Sequence, residues 1–81
     1  MLNEDTLKHV MATMLNVDVS AIGPDASMDT IANWDSLRHM NLVLALEEEF
    51  KVQIPDEDAG NITSYKLIKL VLDDLLAQHR G

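Results

Sequence analysis

Apolar residues near the start of the chain fall at Leu7, Val10, Met11, Met14 and Leu15, in steps of 3, 1, 3 and 1, which sets them on one face of an α-helix. Asn3 is suited to cap that helix, and Glu4 and Asp5 place negative charge at the positive end of its dipole. The pattern predicts a helix over about residues 4–15. It lapses between Asn16 and Asn33, a long connection rich in Asp, Ser, Gly and Pro with Gly23-Pro24-Asp25 as its clearest breaker. Val17, Val19, Ile22, Met28 and Ile31 are scattered through this connection, so it is expected to pack across the other elements.

From Ser36 to about Phe50 the chain is at its most apolar. At 100° per residue, Leu37, Met40, Leu42, Val43, Leu44, Leu46 and Phe50 cover more than half the circumference and leave a polar stripe of Arg38, Asn41, Ala45 and Glu48. This predicts a central helix buried on several sides. Val52 and Ile54 continue the core, and Pro55-Asp56 opens a short third helix or turn through about Asn61, weakened by Gly60. The last helix follows Thr63 or Ser64 as cap. Ile68, Val71, Leu72, Leu75 and Leu76 form its apolar face, and His79-Arg80 put positive charge at its end. No segment reads as a strand, so the fold class is all-α, three main helices plus one short helix with a long first loop.

Size and charge narrow the function. At 81 residues the chain, 1–81, is expected to be a single domain. It has no cysteine, so neither disulfides nor thiolate metal sites brace it. Three histidines far apart, without an HExxH pattern, give no zinc site, and Asp56-Glu57-Asp58 lacks the spacing of a calcium loop. The N-terminus is acidic where a signal peptide is basic, and no apolar run approaches the roughly 20 residues that span a bilayer. The expected location is therefore cytoplasmic, with no membrane insertion. Fourteen acidic against six basic residues give a net charge of -8, which repels nucleic acid and favours basic protein surfaces.

One segment carries chemistry. Asn33-Trp34-Asp35-Ser36-Leu37 lies where the long loop meets the apolar helix. Asp35 is a good N-cap, which places the Ser36 hydroxyl in the first turn beside unpaired N–H groups, where a phosphodiester would be well received. No glycine-rich elbow surrounds Ser36 and the nearest candidate base is His39, so an enzyme is the weakest reading.

Asp35-Ser36-Leu37, then Leu42-Val43-Leu44-Ala45-Leu46-Glu47-Glu48-Glu49-Phe50, then Val52-Gln53-Ile54-Pro55-Asp56-Glu57-Asp58, together resemble the acyl carrier proteins, and the resemblance covers nearly the whole chain. It implies a four-helix acyl-carrier-type bundle in which Ser36 receives 4′-phosphopantetheine from coenzyme A. A phosphopantetheinyl transferase would make the transfer, with Asp35 orienting the coenzyme and its magnesium and Leu37 completing the motif. The arm would then hold an acyl group as a thioester. Further partners implied are an acyl-carrier ligase, synthase or acyltransferase, with the chain itself a freestanding monomer. Trp34, Arg38, Asn41, Glu47 and Glu48 are the residues expected to meet those partners. Carriers of fatty acid synthesis usually have acidic residues where Arg38 and Asn41 stand and a small one in place of Trp34. That departure resembles carriers dedicated to specialised pathways. A peptidyl or D-alanyl carrier shares the same motif, and from a different class an unmodified helical adaptor remains open. His39 is expected as a half-exposed structural residue, and Trp34 either as a packing residue beside the cap or in contact with the arm or a partner.

Overall fold

The structure is a computed structural model and describes residues 2–78. Its order is α1 (Glu4–Leu15), a 3₁₀ turn (Val19–Ala21), α2 (Ser36–Phe50), α3 (Asp56–Ala59) and α4 (Tyr65–Gln78). The four helices fall where the periodicity predicts them. His79-Arg80, expected to close the last helix, lie outside the described residues. Among the described residues no helix is long and apolar enough to cross a membrane.

Local chemistry sets the helix ends. Asn3 Oδ1 accepts from Thr6 N–H at 3.2 Å to start α1. Ser64, not Thr63, starts α4, its hydroxyl oxygen accepting from Leu67 N–H at 3.2 Å. α1 and α2 close in the same way: Asn16 and Lys51 adopt the left-handed conformation at φ 57° and 56°. The next residue then reaches back five positions, Val17 N–H to the Ala12 carbonyl and Val52 N–H to the Glu47 carbonyl. Both motifs are followed by a valine that packs on or into the core.

The core runs through Leu7, Met11 and Leu15 of α1, Leu42 and Leu46 of α2, and Ile68 and Leu72 of α4. Ile22, Ala26 and Ile31 of the long connection join it, so this segment is part of the packing, as expected. Two hydrogen bonds stitch it to the start of α4: Met28 N–H to the Thr63 carbonyl at 3.0 Å and Tyr65 N–H to the Ala26 carbonyl at 2.9 Å. Tyr65 donates its hydroxyl to Glu4 Oε1 at 2.8 Å, and Lys69 pairs with the same carboxylate at 3.2 Å, tying the starts of α1 and α4. The Tyr65 bond, then Lys69, holds the Glu4 carboxyl below its ordinary range, while burial and Glu4 push the Tyr65 phenol up. A lowered carboxyl stabilises the fold at pH above its unfolded value and ceases to do so as the pH falls through the folded one.

Helix α2 departs from its expected burial. Leu37, Met40 and Leu44, counted with the core, are 73%, 57% and 57% exposed, whereas His39, counted as half-exposed, is 6% exposed. The buried stripe is His39, Leu42, Val43 and Leu46, an arc narrow enough for a helix covered on one side only. Apolar residues on a helical wheel mark the core only until the core stripe is filled; three lie beyond it here.

Lys51 carries a side chain in a conformation that costs an L-residue roughly 1–2 kcal/mol. Lys51→Gly relieves that strain against the entropy cost of glycine, and its unfolding free energy in urea is expected to rise by about 0.5–1 kcal/mol. A fall would show that the αL cap of α2 is not present in solution.

Candidate functional site

The site is built from the cap of α2. Asp35 sits at the N-cap in an extended conformation, and its Oδ1 accepts from Arg38 N–H at 2.8 Å. Its own carbonyl takes His39 N–H at 2.8 Å, the first bond of the helix. Ser36 and Leu37 therefore keep their N–H groups without a partner among the described residues. Ser36 is exposed. An exposed hydroxyl in the first turn of a 15-residue helix, next to two open N–H donors, fits a phosphate ester attached at that oxygen.

What fixes the cap in space lies one residue earlier. Trp34, 2% exposed, donates its indole N–H to His39 Nδ1 at 3.0 Å, with the two rings 6.0 Å apart and inclined by 30°. The other ring nitrogen of His39 lies 2.7 Å from the Ala59 carbonyl oxygen at the end of α3. Indole can only donate, so Nδ1 accepts, the imidazole is neutral, and its proton sits on Nε2. Trp34 and His39 occupy the positions immediately before the cap and four residues into the helix, the pairing of a hydrophobic staple. Here the staple also carries a hydrogen bond. Asn33 adds a tie from its amide to the Asn16 carbonyl at 3.3 Å, so the loop before the cap is fixed at two places.

The expected docking residues are split by this geometry. Trp34 is spent on His39 and has almost no surface to offer a partner, which corrects its assignment to docking in favour of packing beside the cap. Glu47 is half-buried and its Oε2 accepts from Ile54 N–H at 2.8 Å, so that carboxylate holds the chain leading to α3. Asn41, Glu48 and Leu37 are exposed, and Arg38 is half-exposed. Sequence reasoning missed Met40 and Leu44, which continue the line from Leu37 on the exposed side at i, i+3 and i+7. The signal was present: an apolar arc of more than half the circumference is wider than one bundle contact requires.

His39 is turned into the protein, with both ring nitrogens bonded, so it is no base for Ser36. Ser36 is thus exposed, and His39 does not activate its hydroxyl. The geometry fits a carrier class: a small helical protein with an exposed serine in the first turn of a central helix.

Comparison with known proteins agrees. The sequence pattern of the family described as the phosphopantetheine attachment site matches residues 5–71. The acyl carrier protein of Thermosynechococcus vestitus is 42% identical over 69 residues, 85% of this chain and 82% of that protein. That of Helicobacter pylori strain J99 is 36% identical over 74 residues, 90% and 95% of the two chains. Among solved structures, the solution structure of the holo acyl carrier protein from Geobacter metallireducens superposes with a TM-score of 0.84 at 25% identity, covering 98% of this chain and 91% of that one. The hexanoyl carrier protein of the actinorhodin polyketide synthase of Streptomyces coelicolor gives 0.81 at 26% identity over 96% and 94%. The chain belongs to the acyl carrier proteins, which hold acyl groups on covalently attached 4′-phosphopantetheine and are carriers, not enzymes. Family membership brings with it a phosphopantetheinyl transferase and acyl-handling enzymes as partners.

Trp34→Phe leaves a buried imidazole nitrogen without its donor and is expected to lower the unfolding free energy by about 1–3 kcal/mol. His39→Gln, whose amide can accept from indole and donate to Ala59, loses less. Urea denaturation decides: a Trp34→Phe loss under about 0.5 kcal/mol, the size of an ordinary surface change, would mean that the bond contributes nothing.

Proposed function

We propose that Ser36 is the attachment point, and that the chain carries its acyl cargo for a dedicated set of enzymes that read the exposed ridge of α2. The observation that carries the first part is the exposed Ser36 hydroxyl in the first turn of α2, held there by the Asp35 cap. In the transfer, Ser36 Oγ bonds to the phosphorus on the pantetheine side of coenzyme A as the pyrophosphate linkage breaks. Adenosine 3′,5′-bisphosphate leaves, and the hydroxyl proton passes to the transferase. The open N–H groups of Ser36 and Leu37 favour the new phosphodiester charge. Asp35, exposed beside its cap bond, is the group best placed to help orient the coenzyme and its magnesium. The attached arm supplies a thiol on which an acyl group is held as a reactive thioester. Tethering keeps that group at high local concentration for each enzyme that docks.

The ridge beside Ser36 supports the second part. Leu37, Met40 and Leu44 give an apolar line, and the charges near it are Arg38 at the Ser36 end and Glu48 and Glu49 at the other. Partners reading this face bury apolar area close to the reacting arm, and charge contributes at the distal end. A carrier for general fatty acid synthesis, to which basic synthase surfaces dock, would be more acidic beside the serine; a specialised lipid or polyketide-type pathway fits this ridge better.

Two experiments test these parts. Incubated with coenzyme A, magnesium and a broad-specificity transferase, the wild type is expected to gain the mass of one phosphopantetheine. Ser36→Ala gains none and keeps its stability within about 0.5 kcal/mol. An unmodified wild type would leave a helical adaptor as the better account. For the ridge, the double variant Arg38→Asp with Asn41→Glu is expected to lower the KM of a transacylase that has a basic docking surface. An unchanged KM would show that the ridge charge does not select partners.

A further inference from the structure

The chain has five methionines and no cysteine, so thioethers are the only sulfur that its own side chains carry. Among the described methionines, Met11 is in the core, Met14 and Met28 are half-buried, and Met40 is 57% exposed. Trp34, another oxidisable side chain, is buried. A two-electron oxidant such as hydrogen peroxide therefore meets Met40 before the others.

Its place on α2 gives that exposure a consequence. Met40 follows Ser36 by four residues, and positions at that spacing stand side by side on a helix with their Cβ atoms about 5–6 Å apart. It is also the middle residue of the exposed apolar line Leu37, Met40 and Leu44. An enzyme surface brought onto the Ser36 hydroxyl covers its neighbours within one turn, and Met40 is the apolar one on the same face.

We propose that Met40 is an oxidation site that controls access to Ser36: hydrogen peroxide converts its thioether to the sulfoxide, and the sulfoxide weakens docking of the enzymes that act on the serine. The sulfur lone pair attacks one peroxide oxygen, an S–O bond forms as the O–O bond breaks, and the other oxygen leaves with both hydrogens as water. Sulfur is oxidised and peroxide reduced by two electrons. The product puts a strong hydrogen-bond acceptor between Leu37 and Leu44, so an apolar partner surface closing over it loses affinity. A methionine sulfoxide reductase restores the thioether, two thiols becoming a disulfide while the oxygen leaves as water. This role rests on Ser36 being the attachment point and on partners reading the ridge beside it.

The test uses the full chain before the arm is attached, because the thiol of the arm would compete for peroxide. After limited treatment with hydrogen peroxide, peptide mass mapping is expected to find one added oxygen on Met40 ahead of Met11, Met14 and Met28, with the melting temperature unchanged. Given coenzyme A, magnesium and a broad-specificity phosphopantetheinyl transferase, the oxidised protein is expected to show a KM raised about tenfold at unchanged kcat, the effect of one poorly paired polar group in a docked surface. Methionine sulfoxide reductase returns the KM to its untreated value. Met40→Leu, whatever its own starting KM, shows no change on peroxide treatment. Earlier oxidation of Met14 or Met28, or an unchanged KM in protein oxidised at Met40, overturns the proposal and leaves the carrier reading intact. So does an equal peroxide response in Met40→Leu, or a KM that rises only as the melting temperature falls. Untreated protein that gains no phosphopantetheine overturns both.

Discussion

The buried bond between the Trp34 indole and His39 is the constraint on which the rest of this structure depends. A tryptophan before a helix cap would by itself be a greasy contact with several acceptable poses. A hydrogen bond to one nitrogen of a ring whose other nitrogen is already committed to Ala59 leaves a single pose. With Trp34 fixed, Asp35 has its position for capping α2, and the next residue, Ser36, faces solvent by the turn of the helix. The low dielectric around the pair raises the stakes of every bond in it, because an orphaned buried donor or acceptor costs more than a formed bond contributes. Presentation of the serine is therefore a consequence of packing several residues away from it.

The same arrangement explains why α2 can leave three large apolar residues in water. A helix capped at one end by Asp35, closed at the other by the left-handed Lys51, and buried along one narrow stripe does not need its outer face for stability. That face is then open to binding, and contiguous apolar surface rimmed by polar groups is what partner surfaces use. Its chemistry differs along its length: Arg38 stands within a turn of Ser36, and the carboxylates of Glu48 and Glu49 lie at the far end. The net charge of -8 describes the whole molecule and says little about the first turn of α2.

Helix positions, caps and the place of Ser36 in the first turn of α2 were legible in the sequence because each depends on neighbours close along the chain. Asn3 with Thr6, Asp35 with Arg38 and Ser64 with Leu67 are pairs three residues apart. The burial of α2 was not legible, since hydrophobicity sets what can be buried but the number of neighbouring elements sets how much is. The role of Trp34 was half legible. Its place before the cap marked it as a staple, but its partner four residues into the helix is a histidine, a residue usually read as polar, and the anchoring carbonyl belongs to Ala59, twenty residues further on. Glu47 was similar: its carboxylate looked like surface charge until the fold brought Ile54 N–H to it.

The ring of His39 gives the most direct measurement of the central constraint. Nitrogen-15 NMR with amide and indole hydrogen exchange reports both its tautomer and the protection of the Trp34 indole proton. The expected result is a neutral ring with its proton on Nε2 and an indole N–H that exchanges as slowly as the core amides of α2. A proton on Nδ1, or an indole N–H exchanging at the rate of an exposed one, would contradict the bond that holds the cap, and with it the account of how Ser36 is presented.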